Sequence, residues 1–377
     1  MKKVCMYFFY GFDSNEGLHR FGQNGEPLGW ETRLHCELLN HGLQLEMKSV
    51  NKPDDSDYLL CYRPPELFTI FKWLIKRKMH RSVFSSLEPP VVLEIDSEDN
   101  LRLLSQLFGN VLFWNDDIVD EKRIFKISSP IGDGLSTSPP TAAFSDRKLL
   151  TNISGNKFTS DSNPCKAREL YSERVRAIRF MEQNHPEDFD FYGIGWNSDE
   201  YPSYGGAVES KQATLEKYRF SVCFENMKDT KGYITEKIFD CFNANCVPIY
   251  WGASNIDEFI PPECYIDFRK FSGWEDVYQY IKNMPEDEFN NYIESKNRYA
   301  MSDAFKEFSY DYFIKRTIAA LERVGSLEGE YSYSVAWRAF FRYALLDMKI
   351  HIHNIGRMAF AAKQKILKLL NKKRIST

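Results

Sequence analysis

Residues 218–261 read YRFSVCFENMKDTKGYITEKIFDCFNANCVPIYWGASNIDEFIP. Two largely apolar runs in this stretch, Phe220–Phe224 and Val247–Trp251, predict strands. Between them, Thr235 is a predicted helix cap, and the helix that follows runs to about Ala244. A strand, a helix and a second strand in this order predict a parallel sheet with helices packed on its faces.

The same alternation continues on both sides of this stretch. Further strands are predicted at Val4–Tyr10, Tyr58–Tyr62, Val83–Ser85, Val111–Trp114, Leu149–Ile153 and Phe189–Tyr192, and further helices at Trp30–Leu39, Glu66–Lys78 and from Asn163-Pro164 to about Asn184. The segment Ser128–Ser145 is rich in Ser, Pro and Gly and has no hydrophobic period, so a domain boundary is predicted near residue 145. The chain is therefore predicted to fold as two tandem α/β domains.

The composition is that of a globular protein, with 43% hydrophobic and 27% charged residues in a chain of 377, enough for two domains. The formal net charge of −4 argues against nucleic acid as a partner of the whole molecule. The eight cysteines include no CxxC pair, which argues against a zinc site and for a reducing compartment.

The N-terminus does not have the pattern of a secretory signal. Met1-Lys2-Lys3 leads into VCMYFFY, which is shorter than a signal-peptide apolar region and lacks a small-residue cleavage site. No run of 18 apolar residues follows. We therefore expect a cytoplasmic protein, or a catalytic domain separated from its anchor.

Polar and glycine residues cluster after the predicted strands of the second unit. In a doubly wound sheet, ligands bind outside the carboxyl ends of the strands. The helix that begins at Thr235 offers free N–H groups to a phosphate, and Lys237 adds a positive charge there. Arg168 adds a guanidinium that can fork two phosphate oxygens, and Glu236 can accept hydrogen bonds from sugar hydroxyls. Any one of these residues alone is common on a helix surface, but their clustering predicts a pocket for a sugar diphosphonucleoside.

The motifs in this region resemble those of the α1,3/4-fucosyltransferases, glycosyltransferase family 10. That family carries FEN, a short spacer, a tyrosine, [VI]TEK and a strand ending PIYWG, and these elements stand here in order between residues 224 and 252. The runs DFDFYGIGW at 188–196 and SNP-x-x-x-R at 162–168 also resemble the family. The spacer MKDTKG lacks the QG dipeptide of some bacterial relatives.

The resemblance implies a GT-B-like fold of two Rossmann-like domains that face a cleft. Residues 1–145 would bind the acceptor, residues 146–330 would bind the GDP-sugar donor, and residues 331–377 would form C-terminal helices and a basic tail. Carried over by position, the family's pyrophosphate-binding residues are Arg168 and Lys237. Its residues at the ribose, fucose or phosphate edge are Asn226, Tyr233 and Glu236.

The resemblance also implies inverting transfer of L-fucose from GDP-fucose to a GlcNAc- or glucose-containing glycan, with a carboxylate as base. Glu88 is the predicted base, because it follows a strand of the first domain and precedes Pro89-Pro90. Glu94 and Asp96 are its rivals. No metal site or cofactor is expected, and a divalent ion should at most stimulate. The alternatives are a transferase for another GDP- or UDP-sugar, or a non-catalytic glycan-binding protein.

The C-terminal residues form a basic amphipathic pattern. From Met348 to Thr377 there is no Asp or Glu, but there are eight Lys or Arg. Apolar residues recur on one helical face, at Ile355, Met358, Ala359, Ala362, Ile366, Leu369 and Leu370. Such a helix predicts peripheral binding to an anionic membrane surface at the inner face of the membrane. A lipid-linked acceptor and a role in surface polysaccharide or lipopolysaccharide synthesis would suit that location.

Overall fold

The computed structural model describes residues 1–8, 15–49 and 52–349. Within them, eleven strands form two sheets, with the order β2-β1-β3-β4-β5-β6 in the N-terminal sheet and β11-β10-β9-β7-β8 in the C-terminal sheet. The strand pairs are parallel, as in the registers Val4 to Tyr58 and Ile249 to Val222. The predicted α/β class with two parallel sheets is confirmed.

The strands are β1 (Lys2–Tyr7), β2 (Leu43–Met47), β3 (Tyr58–Cys61), β4 (Ser82–Ser86), β5 (Asn110–Phe113), β6 (Ile124–Lys126), β7 (Lys148–Ile153), β8 (Phe189–Tyr192), β9 (Tyr218–Phe224), β10 (Val247–Trp251) and β11 (Ile266–Asp267). The helices are α1 (Gly29–Asn40), α2 (Leu67–Ile75), α3 (Glu98–Leu107), α4 (Tyr171–Asn184), α5 (Lys211–Leu215), α6 (Glu236–Asn243), α7 (Trp274–Asn283), α8 (Glu286–Ala300) and α9 (Tyr310–Val324). Residues 333–349 are also helical.

The predicted strands correspond to observed ones, including the half-buried β8, whose predicted and observed bounds agree. β3 and β5 are buried along their whole length, and their sequences, YLLC and NVLF, are largely apolar runs. By contrast, β2 alternates buried and half-buried residues and has the sequence LQLEM, which the sequence analysis did not identify as a strand. The first strand was predicted to extend to Tyr10, but β1 ends at Tyr7. Residues 9 and 10 of that prediction lie outside the described residues.

The helix predicted from Asn163-Pro164 begins later than expected, at Tyr171. The Asn163 side chain accepts a hydrogen bond from the Cys165 N–H (2.8 Å), which closes a turn two residues on rather than capping a helix. Its amide donates to the Pro90 carbonyl (3.0 Å), so this turn also fastens the C-terminal half to the loop after β4. A 3₁₀ turn, Lys166–Arg168, precedes α4.

Helix α9 connects the C-terminal segment back to the N-terminal sheet. Its apolar residues Phe313, Ile318 and Leu321 share a buried cluster with residues of β1 and β4, and the Asn110 amide donates to the Ala320 carbonyl (3.1 Å). The predicted donor domain, residues 146–330, included this helix, but its apolar stripe packs on the other sheet. The predicted boundary at 145 falls between β6 and β7. Among the described residues, no helix combines the length and apolarity needed to cross a bilayer.

Candidate active site

A cavity of about 990 Å³ lies between the two halves, at the carboxyl ends of their strands. The N-terminal half contributes Trp30 of α1, and Leu87 and Glu88 after β4. The C-terminal half contributes the residues after β7 and β8, the end of β9, and the first turn of α6. This is the edge at which parallel α/β sheets bind ligands.

The loops after β7 and β8 meet at Gly193. This glycine has φ +140°, and a Cβ atom there would overlap the Ser154 carbonyl oxygen. The Ser154 N–H donates to the Tyr192 carbonyl (3.0 Å), and the Trp196 indole donates to the Ser154 carbonyl (2.6 Å). Glycine therefore allows these two loops to form one tight wall of the cavity.

Lys237, in the first turn of α6, is held by a carboxylate whose role was not predicted from the sequence. The side chain of Glu225 is fully buried and accepts hydrogen bonds from the Thr235 N–H (2.8 Å), the Thr235 hydroxyl (2.7 Å) and the Lys237 ammonium (3.1 Å). Burial favours a neutral Lys237 amine, but Glu225 and Glu236 outweigh it and raise the Lys237 pKa above its ordinary value. The charged form of Lys237 is therefore favoured in the cavity. The sequence feature that could have identified Glu225 is its position directly after the buried strand β9.

Glu236 lies at the mouth of the cavity with about half of its side chain exposed. Burial raises its pKa, but Lys237 and Lys211 dominate and lower the pKa of Glu236 to about 2. The Glu236 carboxylate lies 3.6 Å from the Lys237 ammonium and 3.8 Å from that of Lys211. Glu236 is therefore an ionised acceptor for donors such as sugar hydroxyls.

Asn226, Tyr233 and Arg174 form a second group in the cavity wall. The Arg174 guanidinium donates to the Asn226 side-chain oxygen (3.0 Å), and the Asn226 amide contacts the Tyr233 hydroxyl (3.4 Å). The Tyr233 ring is buried against Trp114, with the ring centroids 4.7 Å apart. Burial raises the pKa of Tyr233 well above its ordinary value, so it remains a neutral phenol. Four of the predicted donor-binding residues, Asn226, Tyr233, Glu236 and Lys237, thus line one cavity.

Arg168 is the predicted donor-binding residue that is not among the described residues lining the cavity. Its guanidinium donates to the Asp229 carbonyl (2.6 Å) and contacts the Thr230 hydroxyl, so it supports the loop between β9 and α6. The guanidinium in the cavity wall belongs to Arg174 instead. The sequence feature that could have identified Arg174 is its position on the apolar stripe of α4, beside Ala177 and Ile178.

Glu88 and its two rivals occupy different environments. Glu88 lines the cavity, and burial raises its pKa although Lys237 and Lys157 oppose the shift. Asp96 is buried, receives a hydrogen bond from the Ser86 hydroxyl (2.6 Å), and has a pKa raised far above its ordinary value by burial. Neither Asp96 nor Glu94 is among the described residues that line the cavity. Of the three candidate bases, Glu88 is therefore the one that lines the cavity among the described residues.

Within residues 1–8, 15–49 and 52–349, no group of three His, Cys, Asp or Glu side chains is arranged to hold a metal ion. The positive groups in the cavity wall are Lys157, Arg174, Lys211 and Lys237. Together with the first N–H groups of α6, these cations can neutralise a bound diphosphate.

Comparison with known proteins shows which family this region resembles. Residues 162–324 match the family model for the C-terminal domain of glycosyltransferase family 10 (fucosyltransferase). The chain is 35% identical over 78 residues to the α-(1,3)-fucosyltransferase FucT of Helicobacter pylori, which covers 21% of this chain and 16% of that protein. It is 25% identical over 289 residues to α-(1,3)-fucosyltransferase C of Drosophila melanogaster, which covers 70% of this chain and 63% of that protein.

The fold is similar to that of a solved enzyme. The structure of an α1,3-fucosyltransferase with GDP-fucose superposes with a TM-score of 0.51 and 17% identity, over 85% of this chain and 90% of that chain. This likeness confirms the predicted GT-B-like arrangement. Residues 162–324 of this chain are therefore similar to the C-terminal domain of glycosyltransferase family 10, the fucosyltransferase family, which the motifs of residues 218–261 also resemble.

Proposed function

We propose that this chain is an inverting glycosyltransferase that moves L-fucose from GDP-fucose to a hydroxyl of a GlcNAc- or glucose-containing glycan. The observation that carries the proposal is the pairing, across one cavity, of Glu88 from the N-terminal half with Lys237 and the first turn of α6. One side suits proton transfer, and the other suits a diphosphate. The family match supports fucose as the transferred sugar.

The leaving group is GDP, whose β-phosphate gains negative charge as the bond to the sugar breaks. The Lys237 ammonium is positioned for that charge, because Glu225 holds it from behind (3.1 Å) and keeps it protonated. Arg174 and the N–H groups of α6 add further positive potential. Charged groups that are already oriented stabilise a transition state at little reorganisation cost.

Glu88 acts as the general base in this mechanism. The acceptor hydroxyl attacks the anomeric carbon, its proton passes to the Glu88 carboxylate, and the bond from the anomeric carbon to the GDP oxygen breaks. One displacement inverts the configuration at that carbon. Burial raises the Glu88 pKa, which makes it a stronger base than an exposed carboxylate. No metal ion is required in this scheme, although a divalent ion could pair with released GDP.

The location proposed for the enzyme is the cytoplasmic face of a membrane. Residues 350–377 lie outside the described residues, so this proposal stands on their sequence, which has no acidic residue and seven of the eight basic residues counted from Met348. Such a segment is attracted to anionic lipid. An acceptor on a lipid carrier, in surface polysaccharide synthesis, would suit this location.

A panel of sugar nucleotides and glycan acceptors tests the proposal. Purified protein should release GDP from GDP-fucose, faster with a GlcNAc- or glucose-containing acceptor. Turnover of another GDP- or UDP-sugar alone would favour the alternative transferase. Nucleotide binding without hydrolysis or transfer would favour a glycan-binding protein that keeps the fold.

A further inference from the structure

Helix α2 and the helical residues 333–349 both pack on the N-terminal core and expose large apolar side chains. These are Phe68, Phe71 and Ile75 of α2, and Phe341, Leu345 and Met348 of the helical residues 333–349, with exposed fractions between 39% and 65%. We call these six side chains the apolar face. Contiguous exposed apolar surface on a soluble domain marks a binding surface more often than chance exposure does.

The apolar face is continuous, and it is distinct from the core. Phe71 of α2 packs on Trp337 and Phe340, with ring centroids 5.7 Å and 6.2 Å apart, so ring contacts join the two helices. The opposite sides of the same helices, including Trp73 and Ala336, are fully buried in the N-terminal core. Both helices are therefore apolar on two sides, one side facing the core and the other facing solvent.

Basic residues outnumber acidic ones on both helices that carry the apolar face. Lys72, Lys76 and Arg77 lie on and just after α2, and Arg338, Arg342 and Lys349 lie on residues 333–349. Leu67–Ile75 contains no acidic residue, although Glu66 directly precedes it and pairs with Lys48, and Asp347 is the acidic residue of 333–349. Asp54 pairs with Lys72 (2.7 Å) and Lys76 (3.8 Å) from outside the face. The surface combines exposed apolar rings with a positive rim.

We propose that the apolar face docks on the surface of an anionic lipid bilayer. Its rings would enter the boundary between headgroups and acyl chains, and its Lys and Arg side chains would meet lipid phosphates. The alternative occupant, a second copy in a two-fold dimer, would bring the positive rim against itself, because such an interface pairs one patch with its own copy.

This inference extends the proposed membrane location from the tail to the folded protein. Helix α2 belongs to the half that supplies Glu88, so docking through the apolar face would bind the predicted acceptor half to the bilayer. A glycan on a lipid carrier would then share the membrane surface with the enzyme.

The test measures partition of the full-length protein into vesicles of neutral lipid with and without phosphatidylglycerol. One variant combines Phe68→Ser, Ile75→Ser and Phe341→Ser. Its matched control combines Leu39→Ser, Phe158→Ser and Met301→Ser, which also removes three exposed apolar side chains. A third variant, Lys363→Gln with Lys365→Gln and Lys368→Gln, reduces the charge of the tail. GDP binding checks that each variant is folded.

The face variant should lose about tenfold in vesicle partition, and the loss should persist at about 1 M salt, where the Debye length is about 3 Å. The tail variant should lose binding only at low salt, and the control should match the wild type. Equal partition of the face variant and its control at both salt concentrations would overturn the proposal. So would a change from dimer to monomer in sedimentation with unchanged vesicle binding, which would identify a second copy as the occupant. If the tail variant binds normally while the face variant does not, the proposed role of the tail fails and the face stands.

Discussion

At the scale of single residues, Lys237 is the cation whose environment is best defined. Lys237→Ala should weaken GDP binding by about tenfold to a hundredfold, since a hydrogen bond to a charged group contributes roughly 1.5–3 kcal/mol. Titration calorimetry measures the affinity, and thermal melting checks folding, because the buried Glu225 loses its partner. Lys231→Ala is the control, since Lys231 pairs with Asp117 on the surface (2.9 Å). Unchanged GDP affinity in Lys237→Ala would remove Lys237 from the site.

Arg168→Ala distinguishes two assignments of Arg168. The family resemblance predicts a loss of GDP affinity similar to that of Lys237→Ala. Its contacts with Asp229 and Thr230 predict instead a smaller loss of affinity, together with a lower melting temperature, because the loop between β9 and α6 loses its support. Calorimetry and thermal melting on the same preparation separate the two outcomes.

Glu88→Gln tests the base. The amide keeps the size of the side chain but cannot take a proton, so the transfer rate should fall by about two to four orders of magnitude while donor affinity is retained. Because burial raises the Glu88 pKa, the acid limb of the wild-type rate should lie above the ordinary Glu pKa of about 4.3. Activity should fall as the pH drops through that limb, where Glu88 becomes protonated. Glu94→Gln is the control, and full activity of Glu88→Gln would refute the assignment.

At the scale of elements, the loops after β7 and β8 depend on one glycine. Gly193→Ala should destabilise the protein by roughly 1–3 kcal/mol and weaken donor binding, because the φ of +140° is strained for alanine and the new Cβ overlaps Ser154. Gly206→Ala is the matched control, since Gly206 also has positive φ (+92°) but has no described atom within 4 Å of the added Cβ. Urea unfolding and calorimetry measure both effects. Equal losses in the two variants would show that strain alone, and not the loop contact, matters.

At the scale of the whole molecule, the sequence predicted the second sheet better than the relation between the halves. β9, α6 and β10 were predicted close to their observed ends, because both strands are largely apolar and Thr235 precedes the first residue of the helix. The packing of α9 on the N-terminal sheet was missed, since an apolar stripe does not reveal which sheet covers it. The Trp114–Tyr233 contact joins residues far apart in the chain, and only the fold brings them together.

Part of the candidate site was also predicted from the sequence. The motif residues Asn226, Tyr233, Glu236 and Lys237 line one cavity with Glu88, as the positions of strand ends implied. Glu225 and Arg174 were missed because their roles depend on side-chain direction. The Glu225 carboxylate points back under α6 to Thr235, and Arg174 reaches from α4 to Asn226. Strand ends can be located from periodicity, whereas the direction of a side chain requires the packed structure.

We propose that inverting fucosyl transfer takes place in the cavity between the two halves. The anomeric configuration of the product is the measurement that tests this proposal. Full-length protein would be incubated in EDTA with GDP-fucose and a GlcNAc-containing acceptor, and the first-formed product would be examined by proton NMR. We expect a fucosylated acceptor with the configuration opposite to that of the donor, formed without added metal. Retention of configuration, or transfer that requires a restored divalent ion, would contradict it.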